Sequence, residues 1–468
     1  MSNLMSLLLR AWEYGKTRIN ADYADGVRLF QAGMKCTMSE LEQLQMHRLR
    51  TLLSTFAGLD SMPPQLTQAA GSLAGYPDLR KLPVLTRAGL HQLTDQLGTH
   101  YNGRRDIHAF ATGGSTGEPV RFMLSDRQRC RAAGIRRQMD RLLGWQPGMP
   151  RFALWRANLA ETGHRDDQPN RRPFRRQLPT SGSRYFGGFI PSPDDYRRFC
   201  TAVRRRPGCA IWGYGSALED CARLLLAEQQ ALPAGHVAAA WNCGEMMYEP
   251  QKETVRQAFG IRPRELYASR ECSGIAMECA AGSLHISPRY IVEAVDPDTG
   301  QQLPAGQVGE LLISDLFNDA LPVVRYALGD LGAVEWRACA CGRNSWCLSK
   351  LSGRATWLIE LPSGRKLSTG IFAAIAVHIP ALHQWTVVRR SPAEFEVHYA
   401  GSPLTAAQQA ELLASLATTL EGAQISIVHT PDLPRAPSGK LLQFVDLLPA
   451  DQPATARTAR AIPGTRRP

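Results

Sequence analysis

Residues 111–120 read ATGGSTGEPV, with a run of small residues from Thr112 to Gly117 followed by Glu118 and Pro119. Glycine-rich loops present backbone N–H groups to phosphate oxygens, because glycine adopts positive φ and lets the chain approach a ligand closely. The P-loop pattern ends in Gly-Lys-Ser/Thr, and Glu118 breaks it. Taken alone, the stretch favours a surface turn over a phosphate-binding loop. The rest of the sequence decides between these two interpretations.

The composition is that of a globular protein with more than one domain. The chain has 468 residues, 44% of them hydrophobic, which favours two or three domains. No run approaches the roughly 18 apolar residues of a membrane-spanning helix, and the N-terminus lacks the pattern of a secretory signal. Eleven cysteines without dense spacing fit a reducing compartment. We therefore expect a cytoplasmic protein that does not bind membranes.

The net charge of +12 permits an anionic partner such as a nucleotide, CoA or nucleic acid. Much of the basic charge lies in two stretches rich in Arg and Pro, residues 170–184 and 457–468. The simpler interpretation is a solvated loop and a frayed tail. Aromatic residues do not alternate with the basic ones, as they do in proteins that bind single strands. A basic nucleic-acid-binding protein remains the alternative from another class, and it would bind with a steep salt dependence.

The pattern of apolar residues changes along the chain. Residues 38–58 have the spacing of an amphipathic helix, with Ser39 as the expected cap and Gly58 as the stop. From 105 to 345 short apolar runs alternate with helical segments, and 284–336 reads as β-hairpins. This order predicts an α/β fold in which mixed sheets with helices are joined to a hairpin subdomain.

A second change lies near Gly353 and Arg354, after which two strands, a helix and a last strand follow. We therefore predict three parts. Residues 1–352 form a large N-terminal domain, 353–450 form a small, mobile α+β domain, and 451–468 form a disordered tail.

Seven further segments follow one another in an informative order. They are DLRKLPVLTRAGL (78–90), NCGEMM (242–247), AFGIRPRELYASRECSGIAMEC (258–279), SDLFNDALPVVRYALGDLGAV (314–334), CACGRN (339–344), LSGRATWLI (351–359) and RAPSGKLLQFV (435–445). Together with the glycine-rich loop they resemble the adenylate-forming ligases. The similarity is to the phenylacetate–CoA ligase-like branch, which includes the capsule-gene and coenzyme F390 synthetase-like proteins. It covers roughly residues 40 to 445, and the order of the short motifs makes it specific.

The resemblance implies that the glycine-rich loop cradles the β- and γ-phosphates of ATP. Its residues are Thr112, Gly113, Gly114, Ser115, Thr116 and Gly117. The YASRE segment resembles Y-G-x-T/S-E, with Tyr267 on the adenine, Ser269 near the α-phosphate and Glu271 on Mg²⁺. A carboxylate together with phosphate oxygens suits that hard cation. Gly244 and Glu245, in NCGEMM, are also assigned to the nucleotide site.

The remaining motifs complete the nucleotide site by resemblance. YALGD resembles Y-R-x-G-D, so Asp330 is expected to accept the ribose hydroxyls, and Arg354 is expected near the ribose or a phosphate. SGK resembles the C-terminal motif that carries the catalytic lysine, here Lys440. An ammonium group near the α-phosphate would stabilise negative charge in the transition state. Read singly, each of these residues is also compatible with a structural role.

The sequence departs from the family pattern at three positions. Val120 replaces the lysine that often ends the loop motif, and Ala268 replaces the usual glycine of Y-G-x-T/S-E. Trp357 stands where the family commonly has an acidic residue, at the joint about which the C-terminal domain rotates between the two half-reactions. The last departure puts the identity of the acyl acceptor in doubt.

Two other groups of residues suggest sites. Thiolates and an imidazole suit tetrahedral Zn²⁺, and two hairpins could bring such side chains together. The candidates, which also match metal positions in some relatives, are Cys279, His285, Cys339 and Cys341. Four protein ligands would make the zinc structural; the alternative is four reduced, partly buried side chains. Trp212 and Tyr214 either flank an aromatic acyl group or belong to the core.

The predicted function is ATP-dependent activation of a carboxylic acid, aryl or arylacetic, to an acyl-adenylate with release of pyrophosphate. The acyl group then passes to an acceptor, with the CoA thiol as first choice by resemblance. An adenylating amide ligase and an enzyme that loads a carrier protein are the alternatives. A non-catalytic nucleotide-binding protein is a further hypothesis. ATP, Mg²⁺ and CoA are the implied ligands, and a homodimer is a possible assembly.

Overall fold

The structure is a computed structural model of the chain. It describes residues 20–59, 62–69, 71–111, 120–155, 183–186, 192–297, 299–354, 358–363, 365–368, 372, 375–376, 379, 381–382, 384–430, 433–434 and 441–448. The segments expected to form a basic loop and a disordered tail lie mainly or wholly outside these ranges.

The first described part of the chain is helical. Its elements are α1 (Ala21–Gly33), α2 (Met38–Ser54), α3 (Pro64–Ala69), a 3₁₀ helix (Tyr76–Lys81) and α4 (Arg87–His100). The expected cap of α2 was wrong, because Thr37 takes that position instead of Ser39. The Thr37 hydroxyl accepts from the N–H of Glu40, whose carboxylate accepts from the N–H of Thr37 in return. The helix ends at Ser54, before the expected stop at Gly58.

A hairpin and a long helix follow. Strands β1 (Ile107–Ala111) and β2 (Arg121–Ser125) pair antiparallel, with Ala111 opposite Arg121. Helix α5 (Asp126–Leu142) begins directly after β2 and is capped by the Ser125 hydroxyl, which accepts from the N–H of Gln128 at 2.9 Å. The glycine-rich segment therefore lies between the two strands of this hairpin.

The centre of the molecule is one sheet of eleven strands among the described residues. The first group of elements is β3 (Arg151–Leu154), β4 (Arg184–Phe186), α6 (Pro193–Arg204), β5 (Cys209–Gly213), α7 (Gly215–Ala227), β6 (Val237–Cys243), α8 (Glu249–Phe259) and β7 (Arg264–Tyr267). The second group is β8 (Ala276–Glu278), β9 (Leu284–Ile286), β10 (Tyr290–Val295), β11 (Val308–Asp315), β12 (Tyr326–Ala338) and β13 (Asn344–Arg354).

Strand β7 is where the sheet changes direction. The order is β10-β11-β12-β13-β9-β8-β7-β6-β5-β3-β4, and the strands from β4 to β7 pair in parallel. From β7 through β8 to β10 every pair is antiparallel. The parallel half carries helices between its strands, as its short apolar runs predicted. The antiparallel half contains the hairpins predicted for residues 284–336 and, outside that range, β8 and β13.

The last part of the chain packs around its own core. Its elements are β14 (Leu358–Glu360), β15 (Lys366–Ser368), β16 (Gln384–Ser391), β17 (Glu394–Ala400), α9 (Ala406–Thr419), β18 (Gln424–His429) and β19 (Phe444–Asp446). Strands β16 to β19 form a four-stranded sheet in the order β18-β17-β16-β19. The core includes Phe395, Tyr399 and Leu416 and extends from Ile359 to Phe444.

These elements confirm the predicted α/β fold of mixed sheets with helices and hairpins. The division at residues 352 and 353 and the mobility of the C-terminal part stay predictions. Among the described residues, no helix is long and apolar enough to cross a membrane.

A buried ion pair ties β10 to β11. The Arg289 guanidinium donates from Nε to Oδ1 of Asp315 at 2.8 Å and from Nη2 to Oδ2 at 2.6 Å. Asp315 also accepts from the N–H of Phe317 at 3.0 Å, and it is 0% exposed. Two parallel charge-assisted bonds in a site without solvent fix the geometry of this corner.

We expect Asp315→Ala to destabilise the protein by about 3–5 kcal/mol, because it leaves the Arg289 charge buried without its carboxylate. Urea unfolding followed by tryptophan fluorescence measures the change. Asp194→Ala is the control, since its side chain is 82% exposed and pairs with Arg197 at the surface. Equal unfolding midpoints for the two variants would contradict the prediction.

Candidate active site

The YASRE segment lies at the strand where the sheet changes direction. Tyr267 ends β7, and a tight turn follows in which the N–H of Ser269 donates to the carbonyl of Cys272 at 3.0 Å. The N–H of Cys272 donates to the Ser269 hydroxyl at 2.9 Å. The serine expected near the α-phosphate thus also holds the turn that carries Glu271.

Tyr267 and Asp330 are in direct contact. The Tyr267 hydroxyl donates to Oδ2 of Asp330 at 2.7 Å, although the two residues are 63 positions apart in the chain. Both side chains are half-buried. The fold therefore brings the residue expected on the adenine next to the residue expected on the ribose.

Asp330 lies on a bulge of β12. The pairing of β11 with β12 shifts register between Glu310 and Leu312, opposite the LGD segment, and Gly329 has φ +80°. A residue with a Cβ disfavours this left-handed conformation, so glycine suits the bulge. On its other side Asp330 pairs with the backbone of Arg354 in β13. The side chain of Arg354 lies outside what the structure describes.

The Glu271 carboxylate is buried. The residue is 9% exposed, and no hydrogen bond or ion pair joins its side chain to another described residue. Burying a carboxylate without a partner is costly unless a cation or a donor is supplied. The arrangement fits a divalent cation held by this oxygen together with phosphate oxygens.

The glycine-rich loop itself, from Thr112 to Gly117, lies outside the described residues, but both ends of its hairpin are described. Nη1 of Arg270 donates to the carbonyl of Ala111 at 3.0 Å, so the start of the loop is bound to the YASRE turn. Val120, at the other end, is 4% exposed. The sequence analysis missed Arg270. Only the fold shows that this residue, the fourth of YASRE, contacts β1.

Lys440 and Trp357 lie outside the described residues as well. Their expected roles at the catalytic centre and at the domain joint stay predictions.

Glu245 is bound to the start of α7. Its Oε2 accepts from the N–H of Ser216 at 2.9 Å, and its carbonyl accepts from Nδ2 of Asn242 at 2.9 Å. A carboxylate in this position stabilises the partial positive charge of a helix N-terminus. Gly244 precedes it with φ +78°. The structure thus gives Glu245 a protein partner, and its expected contact with the nucleotide stays a prediction.

Trp212 and Tyr214 are parts of an aromatic cluster. Trp155 packs against both, with ring centroids 4.4 Å from Tyr214 and 5.2 Å from Trp212. Tyr185 lies edge-on to Trp212 at 5.9 Å, and Trp241 stacks on it at 6.3 Å. Trp212 is 9% exposed and Tyr214 5%, so both are buried in the core as well as grouped at one site.

The aromatic side chains lie together because of the strand topology, which the sequence could have indicated. Trp155, Tyr214 and Ala268 each directly follow a parallel strand, and the carboxyl ends of parallel strands meet at one edge of a sheet. Applying that rule to the predicted strands would have added Trp155 to the candidates.

The four predicted zinc ligands converge. Their ligand atoms all lie within 4.8 Å of one another, in the set Cys279, His285, Cys339 and Cys341. The Sγ atoms of Cys279 and Cys339 are 3.6 Å apart, and Sγ of Cys341 is 3.3 Å from Nε2 of His285. The other ring nitrogen, Nδ1, is 2.6 Å from the Ser345 hydroxyl. Ser345 thereby orients the imidazole so that Nε2 faces the sulfur atoms.

The ionisation of two of these four groups suits a metal, whereas burial raises the pKa of the Cys279 thiol to about 11. Burial lowers the pKa of His285 to about 4, so its imidazole is neutral near pH 7. Burial alone would raise the pKa of the Cys339 thiol, but hydrogen bonds with Ser283, Cys341 and Cys279 lower it overall to about 7. Neutral imidazole and thiolate are the forms that bind zinc. The donor set and its convergence therefore fit a tetrahedral zinc ion.

The overall architecture matches solved ligases. The chain superposes on 2-hydroxyisobutyryl-CoA ligase, in the postadenylation state in complex with R3-HIB-AMP, with a TM-score of 0.69 and 15% identity. The match covers 88% of this chain and 91% of that one. The anthranilate CoA ligase AuaEII in complex with anthranoyl-AMP gives a TM-score of 0.52 at 13% identity, over 72% of this chain and 66% of that one.

The chain has the fold of the adenylate-forming CoA ligases. No family model matches the sequence. Among curated proteins, the phenylacetate–coenzyme A ligase of Thermus thermophilus is 32% identical over 153 residues, which are 30% of this chain and 34% of that protein. The phenylacetate–coenzyme A ligase of Escherichia coli K12 is 24% identical over 42% of this chain and 48% of that protein. These similarities confirm the resemblance predicted from the ordered motifs.

The matched segments span less than half the length of these curated relatives. Within the adenylate-forming ligase fold, the assignment of roles to particular residues thus depends on the geometry described above.

We expect Gly329→Ala to lower stability by about 1 kcal/mol or more, because alanine disfavours a φ of +80°. Gly98→Ala is the matched control: Gly98 lies within α4, and a Cβ there meets no atom within 4 Å. That control should gain up to about 1 kcal/mol, since alanine favours a helix over glycine. Urea unfolding of both variants measures the effects, and a neutral or stabilising Gly329→Ala would contradict the proposed strain.

Proposed function

We propose that the protein activates a carboxylic acid with ATP and transfers the acyl group to CoA. A carboxylate oxygen attacks the α-phosphorus, pyrophosphate leaves, and an acyl-adenylate forms. The CoA sulfur then attacks the acyl carbon, and AMP leaves. The observations that carry the proposal are the contact of Tyr267 with Asp330 and the buried Glu271 carboxylate, which has no partner among the described residues and lies on the turn that binds the start of the glycine-rich hairpin.

The proposed adenosine site uses the pair of Tyr267 and Asp330. Tyr267 offers an aromatic face to the adenine, and Asp330 offers carboxylate oxygens to the ribose hydroxyls. The hydrogen bond between them orients the carboxylate before the nucleotide binds. Such preorganisation lowers the entropy cost of binding.

The proposed triphosphate site joins the loop Thr112–Gly117 with Ser269 and Glu271. Glu271 would hold Mg²⁺, which supplies positive charge to the phosphate oxygens. Backbone N–H groups and hydroxyls of the loop would bind the pyrophosphate, because Val120 offers no charge where relatives often have lysine. Lys440 is proposed to stabilise the charge that gathers on the α-phosphate during attack.

The proposed acyl site is the aromatic cluster of Trp155, Trp212 and Tyr214. Aromatic walls favour an aromatic acid, because stacked or edge-on rings gain energy beyond the burial of area. The similar anthranilate CoA ligase was solved with anthranoyl-AMP, which supports an aryl acid here.

CoA is the proposed acceptor because the relatives named above are CoA ligases. Trp357 at the proposed joint motivates the alternatives, an amine or the thiol of a carrier protein. These alternatives share the first half-reaction and differ only in the second.

We further propose that the four-residue cluster holds a structural zinc ion, with His285 contributing Nε2 and three cysteines contributing thiolates. Such a site would join the turn between β8 and β9 to the turn between β12 and β13. It lies outside the proposed nucleotide contacts, so its role would be in stability.

The first test is ATP–pyrophosphate exchange with a panel of aryl, arylacetic and short-chain acids. We expect exchange that depends on one class of acid and falls by about a hundredfold or more in Glu271→Gln, because the metal ligand is lost. Glu253→Gln is the control, since that carboxylate is 46% exposed and pairs with Arg256 on α8. Unchanged exchange in Glu271→Gln would refute the assignment of this residue.

The second half-reaction is tested by AMP release with CoA, hydroxylamine or other amines, and a phosphopantetheinylated carrier protein. CoA-dependent release supports the proposed ligase. Release only with an amine or a carrier protein favours the corresponding alternative. A nucleic-acid-binding protein would instead bind DNA or RNA with a steep loss of affinity at higher salt.

Elemental analysis should find one zinc per chain in the purified protein. We expect Cys341→Ser to lose the metal and Ser345→Ala to bind it about 10- to 100-fold more weakly, because the imidazole loses its orienting partner. Cys36→Ser should keep full occupancy, since Cys36 lies on the turn after α1 and is not one of the four converging residues. Metal-free wild-type protein with unchanged thermal stability would overturn the zinc site.

A further inference from the structure

Helix α5 packs on the sheet beside the proposed acyl site. Its residues Ile135 and Met139 share one hydrophobic core with Trp212, Trp241 and Cys243. A Cβ on Gly274, just beyond the Glu271 turn, would meet the sulfur of Met139 at 2.9 Å. This face of the helix therefore lies against both the aromatic cluster and the turn that carries Glu271.

Arg136 lies next to Ile135 on this helix, and its guanidinium group is only partly used. Nε donates to Oδ1 of Asp140 at 3.0 Å. Apart from this bond from Nε, Arg136 forms no hydrogen bond or ion pair within the described part of the chain, so neither terminal nitrogen has a partner there. The side chain is 37% exposed, whereas that of Asp140 is 4% exposed. The side chain of Arg136 is thus partly exposed beside a buried partner.

The Asp140 carboxylate is shared between Arg136 and a second arginine. Its second oxygen, Oδ2, accepts from Nη1 of Arg151 at 2.9 Å. The buried Asp140 carboxylate thus accepts hydrogen bonds from two guanidinium groups. The bond from Arg151 to Oδ2 fixes the orientation of the carboxylate that binds Arg136 through Oδ1. The pair holds Arg136 in place through Nε and leaves its terminal nitrogens able to form a bidentate contact.

The neighbourhood of Arg136 includes the aromatic cluster. Burial acts to lower the pKa of Arg136, but Asp140 and, further away, Cys243 and Tyr185 raise it overall, so those two residues lie near the guanidinium. Tyr185 in turn packs edge-on to Trp212 at 5.9 Å. The Arg136 guanidinium thus lies near the aromatic side chains on this side of the sheet.

We propose that Arg136 is a specificity-determining residue that binds a second carboxylate of the acid substrate. The inference rests on the proposed function and names its substrate class: an aromatic acid with two carboxylates, one activated and one bound by Arg136. A partly desolvated guanidinium whose two terminal nitrogens have no partner among the described residues matches a carboxylate bidentately. A monocarboxylic acid of the same shape would leave this charge without a partner.

The test compares matched acids in ATP–pyrophosphate exchange: benzoate with terephthalate, and phenylacetate with 1,4-phenylenediacetate. We expect wild-type protein to prefer the diacid of at least one pair by tenfold or more in kcat/KM. Arg136→Met should lower kcat/KM for that diacid by about 10- to 100-fold, the value of a hydrogen-bonded charge pair, and leave the monoacid unchanged or improved. Arg127→Gln on the same helix is the control, because that side chain is 62% exposed and pairs with Asp22.

Calorimetric binding of the same acids without ATP keeps the two proposals separate. Diacid binding that is lost in Arg136→Met supports the inference even if no acid gives exchange, an outcome that would overturn the proposed function alone. Exchange with monoacids at least as good as with diacids, unaffected by Arg136→Met, overturns the inference and leaves the proposed function standing. Wild-type protein that binds neither diacid more tightly than the Arg136→Met variant also overturns it. Thermal unfolding of each variant confirms that the folded state is kept.

Discussion

Strand β7 forms parallel hydrogen bonds with β6 on one side and antiparallel ones with β8 on the other. The carboxyl end of β7 lies at the edge of the sheet where the other parallel strands also end. Because β8 is antiparallel to β7, the chain must reverse its direction directly after that end. The turn from Tyr267 to Cys272 meets that requirement with two internal hydrogen bonds. Because the turn is anchored in both halves of the sheet, the groups it carries face β12, β1 and the carboxyl ends of the parallel strands together.

Each half of the sheet contributes a different kind of group. At the carboxyl ends of its strands, the parallel half carries aromatic side chains. The start of α7, which Glu245 caps, lies in the same half. The antiparallel half contributes Asp330, whose position depends on a bulge at Gly329. The contact of Tyr267 with Asp330 joins the two halves at the level of side chains. A shift of one residue in β12 would move Asp330 to the other face and break it.

Much of this fold is predictable from local patterns. The helix α8 and its left-handed Gly260, the hairpins of residues 284–336 and the elements from β16 to β18 follow from apolar spacing and turn residues. The convergence of the four candidate metal ligands is predictable, since their residue types and hairpin context are visible in the chain. The start of α2 was missed because both Thr37 and Ser39 are good capping residues, and only the reciprocal bond with Glu40 selects the first.

Other features of the site require the folded chain. Nothing in the sequence near Arg270 indicates that it binds the carbonyl of Ala111, which is 159 residues away. Likewise Asp140 has the helical spacing of an ordinary partner for Arg136, and only the fold shows that its second carboxylate oxygen is bound by Arg151. Long-range contacts of this kind depend on register and packing, which local propensity does not specify.

The hairpins that carry the cysteine and histidine side chains are far apart along the chain, with 60 residues separating Cys279 from Cys339. Any bond between them closes a long loop, and the entropy removed from the unfolded chain grows only slowly with loop length. β9, β10, β11 and β12 all lie inside this loop. Linking its ends would thus restrict the unfolded states of these four antiparallel strands at once, including the strand that presents Asp330. The two turns that carry the cysteines would in this way influence how readily the strand that carries Asp330 finds its place in the sheet.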